Sequence, residues 1–252
     1  MKHRQQGFTL IEMAVAVFII ALLLGSILVP LTTQVEQRQI SDAQKAMEEI
    51  KEALVGFAIT RGYLPCPDRV NAAASTGPND LLPNDGIEDF NPAGNCITTE
   101  GNVPWVTLGI VNADPWGNRF RYRVAQNFAQ HLTPFTLSTM STTIDVCTTV
   151  VPVPPGACGG RLTTSGDGPP ALIMSHGKNG YLAISAGTGA ANPCPAGGCS
   201  PDEIANGDGI GNSFVSRPHA PSGAVAGEFD DIVTWLSKNI LINRMVTAGK
   251  LP

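Results

Sequence analysis

The residue that raises a chemical question is Glu12. It is the single charge in the 22 residues from Phe8 to Val29, FTLIEMAVAVFIIALLLGSILV, and no Lys, Arg or His occurs between Phe8 and Gln37. A carboxylate among apolar side chains is costly to hold in a membrane or a dry interface and is there for a partner. The flanking sequence offers no cation. The counter-charge must come from another chain, or from an N-terminal amine made by cleavage. A second set of reactive residues is the six cysteines, Cys66, Cys96, Cys147, Cys158, Cys194 and Cys199. An even count in a Gly/Pro-rich chain suits disulfides in an oxidising compartment. Adjacency favours Cys66 with Cys96, Cys147 with Cys158 and Cys194 with Cys199, one arrangement among the 15 that six cysteines allow. A zinc site built on C-x4-C with His176 or His219 is the rival use of the same residues.

Other clusters are weaker. Asn84-Asp85-Gly86-Ile87-Glu88-Asp89, Asn206-Gly207-Asp208-Gly209 and Asp230-Asp231 put oxygen ligands on Gly-rich loops, which is what calcium requires, but none follows the EF-hand pattern. The same residues serve equally as turns, and Asp230 or Asp231 as a helix cap. Ser175-His176 has the types of a nucleophile and its base, but no G-x-S-x-G surrounds the serine, and neighbours on a strand face opposite ways. Gly177-Lys178 lacks the earlier glycine of a phosphate-binding loop. His131 and His219 read as surface or turn histidines. Trp105, Trp116 and Trp235 read as packing residues in preference to a sugar-binding platform. No catalytic constellation emerges, and the chain reads as a non-enzyme.

The elements that carry these residues begin with the apolar run. As a helix it is about 33 Å long at 1.5 Å per residue, enough to cross a bilayer core. Lys2 and Arg4 hold the N-terminus in the cytoplasm, so the rest of the chain faces outward. The run exceeds the apolar core of a secretory signal and ends in no small-x-small cleavage site. A plain signal anchor would explain the span but not Glu12. Pro30 follows, where proline loosens or kinks a helix without having to end it. Beyond it Ala43, Met47, Ile50, Leu54 and Phe57 recur at helical steps between charged residues, so the helix continues as an amphipathic one until Gly62, Pro65 and Pro67. Tyr63 to Asn112 reads as a long loop. Asp114-Pro115-Trp116-Gly117 suits a type I turn, and Phe120, Tyr122 and Val124 alternate with Arg121 and Arg123 as a strand. Further strands are expected at 144–150, 171–174 and 181–185, the last two joined by the turn SHGKNG. Phe229, Ile232, Val233, Leu236 and Ile240 trace a helical face with Asp230 and Asp231 at its start and Gly249 near its end.

Composition closes off other classes. With 15% charged residues, a net charge of −5 and a pI near 5.3, the chain has no basic field for a phosphate backbone, and no nucleic-acid partner is expected. Its 43% hydrophobic content speaks against disorder.

GFTLIE, with a short basic leader before the Gly and an apolar span after it, resembles the prepilin cleavage and methylation motif of type IV pilins and type II secretion pseudopilins. The resemblance implies that a prepilin peptidase cuts between Gly7 and Phe8 and methylates the new Phe8 amine, and that Glu12 faces the Phe8 amine of a neighbouring subunit during assembly. It implies a leader at 1–7, a long helix at 8–60 with a transmembrane segment at 8–29, and a head at 61–252. The fold class is α+β: a long N-terminal helix, half transmembrane and half amphipathic, packed on an antiparallel β-sheet head with disulfide-tied loops and a C-terminal helix. The implied partners are the peptidase, other pilin or pseudopilin subunits, the inner-membrane assembly platform, and the bilayer before assembly. The implied location is the inner membrane, N-terminus cytoplasmic and head periplasmic, then the pilus or pseudopilus. Low charge and long insertions point to a minor subunit, and Glu12 argues against the tip pseudopilin class that lacks this carboxylate. Some major pseudopilins bind calcium in a C-terminal loop resembled loosely by EFDDIVTW, which makes Asp208 and Asp231 calcium ligands by expectation. No other cofactor is expected. The rival from another class is a membrane-anchored binding module, calcium-dependent or adhesive.

Overall fold

The structure is a computed structural model that describes residues 9–71, 82–140, 144–151, 157–164, 166–209 and 211–251, the side chains of 24–32 excepted. Two compact units divide the chain, Met1–Asp42 and Ala43–Pro252. Helix α1, Leu10–Arg61, has 52 residues and contributes to both. It continues through Pro30, as expected of a proline that forfeits one hydrogen bond inside a long helix. In the first unit every side chain from Thr9 to Leu23 is exposed, on all faces of the helix. Among the described residues no helix is long and apolar enough to cross a membrane. The leader, Gly7, Phe8 and the side chains at the far end of the 8–29 run lie outside the described residues.

From Ala43 onward α1 belongs to the head. The expected stripe is buried at Ala43, Met47, Ile50 and Leu54, and it continues through Val55 and Ala58 while Phe57 stays half-buried. The core it joins contains strands β1 (Glu100–Asn102), β2 (Arg121–Val124), β6 (Ala171–Ser175) and β8 (Ile232–Leu236), which form one antiparallel sheet in the order β1-β2-β6-β8. Strand β2 buries Tyr122 and Val124 and half-buries Arg121 and Arg123, the alternation the sequence predicts, and both arginines pair with Glu100 on β1. All five residues of β6, flanked on both sides, are buried. A short helix α2 (Trp105–Leu108) follows β1. Two small sheets complete the head: β3 (Asp145–Cys147) runs parallel to β7 (Ser213–Val215), and β4 (Val150–Val151) pairs antiparallel with β5 (Ala157–Cys158). Helix α3 is Pro201–Gly207, and α4 is Lys238–Thr247. At the end of α4, Gly249 takes φ +69°, Lys250 N–H donates to Met245 C=O and Gly249 N–H to Val246 C=O, a Schellman closure that needs glycine's left-handed backbone.

Three expectations change. The loop after α1 contains β1 and α2, two elements too short to leave a periodic signal. Residues 181–185 make no strand: Leu182 has φ +64°, and only Ile184 and Ser185 form isolated bridges. Residues 229–236 are not helical. Ile232 to Leu236 form β8 in register with β6, and α4 starts at Lys238 behind Ser237, so neither Asp230 nor Asp231 caps a helix. The run IVTW is β-branched and aromatic, and an available sheet edge overrides the weak helical spacing.

All three disulfides join the expected partners, with Cα separations of 5.2, 5.5 and 5.2 Å for Cys66–Cys96, Cys147–Cys158 and Cys194–Cys199. Beside the first, the buried Tyr122 hydroxyl donates to the Pro65 carbonyl at 3.1 Å. Tyr122→Phe leaves that carbonyl buried without its donor. The expected loss is about 1–3 kcal/mol in urea unfolding; a variant as stable as wild type would show that Pro65 finds another donor.

Candidate functional site

The described chain opens on a reciprocal cap. Thr9 immediately precedes α1, its backbone N–H and its Oγ1 both lie 2.8 Å from Glu12 Oε2, and Glu12 N–H donates back to Thr9 Oγ1 at 3.3 Å. This is the Ser/Thr-x-x-Glu capping box, present in the sequence as Thr9-Leu10-Ile11-Glu12 and independent of any counter-charge. It places Glu12 in the first turn, near the positive end of the helix dipole. The carboxylate is exposed beside exposed apolar side chains, among them Leu10, Ile11, Met13 and Val15. Thr9 donates hydrogen bonds to the carboxylate but brings no counter-charge to it. Gly7 and Phe8 fall outside the described residues.

The head holds a second polar cluster, at the end of β6. Ser175 Oγ donates to Asp114 Oδ2 at 2.6 Å, while Asp114 Oδ1 accepts the N–H groups of Trp116 and Asn118 and closes the expected turn. Ser175 is thus tied to a buried carboxylate and makes no hydrogen bond to the neighbouring imidazole. The next residue, His176, is 1% exposed; its Nδ1 lies 3.4 Å from Asp231 Oδ1, and neither ring nitrogen makes a hydrogen bond. Asp231 Oδ2 accepts from Asn206 Nδ2 at 2.7 Å. Asn206 also exchanges bonds with the backbone of Val215, so one amide joins α3, β7 and the segment before β8. Gly177, at φ +60°, packs so closely on the Asp230 backbone that a Cβ would strike it.

Glu203 and Asp230 complete this cluster. Ser200 caps α3 by accepting Glu203 N–H, but the Glu203 side chain turns away and takes Asn179 Nδ2 at 2.7 Å. Asp230 Oδ2 accepts Asn179 N–H at 2.8 Å. The remaining oxygens, Glu203 Oε2 and Asp230 Oδ1, are buried without a hydrogen-bond partner. Desolvation, reinforced by the neighbouring carboxylates, raises Glu203 to about 7 from 4.5 and Asp230 to about 6 from 3.8. Elsewhere in the head, desolvation likewise lifts the buried Asp68 to about 7 from 3.8, against hydrogen bonds from Gly86 and Asn102.

The other predicted residues separate. Asp208 is the exposed C-cap residue of α3, its Oδ1 accepting Gly211 N–H at 3.4 Å, whereas Asp231 is buried. No free cysteine exists, so no thiolate is available for zinc. Among the described residues Cys66, Glu88 and His131 are the set whose ligand-type atoms gather within one coordination sphere, but Cys66 is oxidised to a disulfide. His131 is not a surface histidine: its ring stacks on Tyr63 at 4.1 Å and meets Phe90 at 3.7 Å in a tilted contact, centroid to centroid. Trp105 is covered by the Arg119 guanidinium at 3.8 Å, and Trp116 Nε1 is buried without a partner.

Comparison with known proteins adds one match. Residues 2–28 fit the family described as the prokaryotic N-terminal methylation motif, typical of type IV pilins and type II pseudopilins. Neither a curated protein nor a solved structure matches the chain. The match takes in Gly7, Phe8, Glu12 and most of the apolar run, and the residues after Leu28 contribute nothing to it.

The raised carboxylates fix the sign of a pH dependence. Between about pH 4 and pH 7 the folded head retains protons on Glu203, Asp230 and Asp68 that the unfolded chain has released. Their contribution is complete below pH 4 and is lost as pH rises through 7. In the presence of chelator the melting temperature is expected to fall by several degrees from pH 5 to pH 8, and Glu203→Gln should flatten that fall. A melting temperature that rises toward pH 8 would contradict this account of the cluster.

Proposed function

We propose that this prepilin-like chain is a structural subunit, a minor pilin or pseudopilin, of a type IV pilus or a type II secretion pseudopilus. A peptidase removes residues 1–7, the Phe8 amine is methylated, and the helix from Phe8 to Val29 first anchors the protein in the inner membrane with the head in the periplasm. Assembly then moves that helix from lipid into a bundle of like helices. The observation that carries this reading is the exposure of α1 on all faces from Thr9 to Leu23, with one carboxylate at its start. An apolar surface of that extent calls for lipid or protein around it. The ammonium of a neighbouring Phe8 supplies the charge that Thr9 cannot, and it fixes the axial register of the packed helices. Thr9 keeps Glu12 hydrogen-bonded while no neighbour is present.

Mass spectrometry of the N-terminal peptide from native membranes is expected to begin at N-methylated Phe8. An intact leader or another start overturns the reading. Glu12→Ala should reduce incorporation into filaments by at least about tenfold, as loss of a buried ion pair implies, without changing the amount of processed protein in the membrane.

A second reading, calcium binding, is supported by the two orphan oxygens of Glu203 and Asp230. As placed, they and Asp231 do not gather their oxygens within one coordination sphere, so a hard dication would have to draw these carboxylates together to bind. On this reading Asp230 and Glu203 join the expected ligand Asp231 only on such a movement, and Asp208 stands apart on the surface. Millimolar calcium at pH 8 should raise the melting temperature above that in chelator, and Glu203→Gln should abolish the difference. Identical melts for the wild-type protein would exclude calcium.

A further inference from the structure

The Cys66–Cys96 disulfide is bordered by two further side chains of metal-ligand type. His131 is gripped by aromatic rings, stacked on Tyr63 and tilted against Phe90, and its Nε2 lies 3.7 Å from Cys66 Sγ and 3.3 Å from Glu88 Oε2. Glu88 Oε2 is itself held by the Cys66 N–H at 3.1 Å. The sulfur, the imidazole nitrogen and the carboxylate oxygen all lie within 4.8 Å of one another. Cys66 is fully buried, while His131, Glu88 and Cys96 each keep a thin exposed edge through which an ion can enter.

These spacings are the edges of one tetrahedron. An ion with about 2.3 Å to sulfur and about 2.0 Å to nitrogen or oxygen sets S and N about 3.5 Å apart, and N and O about 3.3 Å apart. The Cys66–His131 and His131–Glu88 pairs stand near those distances already. The fourth corner is concealed chemically: Cys96 Sγ is bonded to Cys66 Sγ, and both sulfurs face the Ala129 carbonyl at 3.8 Å. A disulfide sulfur has no charge to offer a cation. Two thiolates, an imidazole and a carboxylate, by contrast, are donors that zinc takes in four-coordinate sites, and thiolates do not suit calcium or magnesium. We infer that the reduced head binds one zinc-class dication through Cys66, Cys96, His131 and Glu88, and that formation of the Cys66–Cys96 disulfide expels it. Binding releases the two thiol protons to solvent. Oxidation of the loaded pair by the disulfide of another thiol compound forms the S–S bond, reduces that disulfide to two thiolates and frees the ion. A newly exported chain, still carrying thiols, can thus close this loop around the ion before the covalent bond is made. Assembly through α1 plays no part, so either reading can fail without the other.

The test is timed alkylation, read by mass spectrometry, on the full-length chain in detergent. The chain is reduced anaerobically with a phosphine, which becomes the phosphine oxide, and given equimolar Zn2+ or, as control, Mg2+. Zinc alone is expected to slow modification of Cys66 and Cys96 by at least about tenfold, and to slow re-formation of their bond by oxidised glutathione to a similar degree. Cys147, Cys158, Cys194 and Cys199 should react as before. Glu88→Gln, which keeps an acceptor for the Cys66 N–H, and His131→Gln should each weaken zinc by at least about tenfold. Loss of protection in either variant, with its oxidised form melting like wild type, supports the site. No protection at Cys66 and Cys96, equal protection at all six cysteines, protection by Mg2+ as well, or protection unchanged in both variants would overturn it.

Discussion

The head rests on the burial of one face of one helix. From Ala43 to Ala58 the apolar stripe of α1 shares a core with Tyr122, Val124, Leu172 and Ile173 of the sheet, and side chains fully removed from water each contribute on the order of 1.5–3 kcal/mol. Elements with little core of their own gather on that base. The two-stranded β3/β7 and β4/β5 pairs are too small to stand alone. They are held by the Cys147–Cys158 bridge, by Asn206, and by Asp202, which takes the hydroxyl of Thr149, the N–H of Val150 and the guanidinium of Arg217. Loop and helix α3 are thus stitched by buried polar groups where apolar area is scarce, which suits a sequence this rich in Gly and Pro.

The sequence made legible whatever had a long period or a covalent consequence. The stripe on α1, the alternation in β2 and the cysteine pairs all appear in the structure where the residues placed them. Pieces of three or four residues, β1, α2 and β7, carry too few side chains to reveal a period. The segment Phe229–Leu236 misled because its apolar spacing fits a helix while its β-branched residues fit a strand, and the free edge of β6 decided the matter. The acidic cluster is half visible in the sequence: Asp230, Asp231, Ser175 and His176 stand out by residue type, but Glu203 and Asn179 do not, since their meeting depends on how α3 folds back. Ser200-Pro201-Asp202-Glu203, a capping box with proline at its first position, was the available signal for that helix.

The same four-residue device occurs twice with different outcomes. At Thr9 the glutamate folds back on its own cap and stays solvated, so its charge remains available to a neighbouring molecule. At Ser200 the glutamate leaves the cap, becomes buried against two aspartates, and its proton affinity rises instead. Local sequence sets the helix start in both cases. Tertiary surroundings decide whether the carboxylate acts as a charge or as a weak acid.

The placement of the disulfides has a mechanical meaning. Their sequence separations are 30, 11 and 5 residues, and none ties α1 to the sheet. A pulling force applied to the N-terminal half of α1 therefore meets only side-chain packing and a few polar contacts, such as Lys51 to Thr234, until it reaches Cys66. Past that point the load passes through the Cys66–Cys96 bond, so the loop that bond closes is bypassed, while β1 and β2 beyond Cys96 lie outside any such protection. Side-chain packing of the α1 stripe, with no covalent link to the sheet, is what holds the helix to the head under such a load.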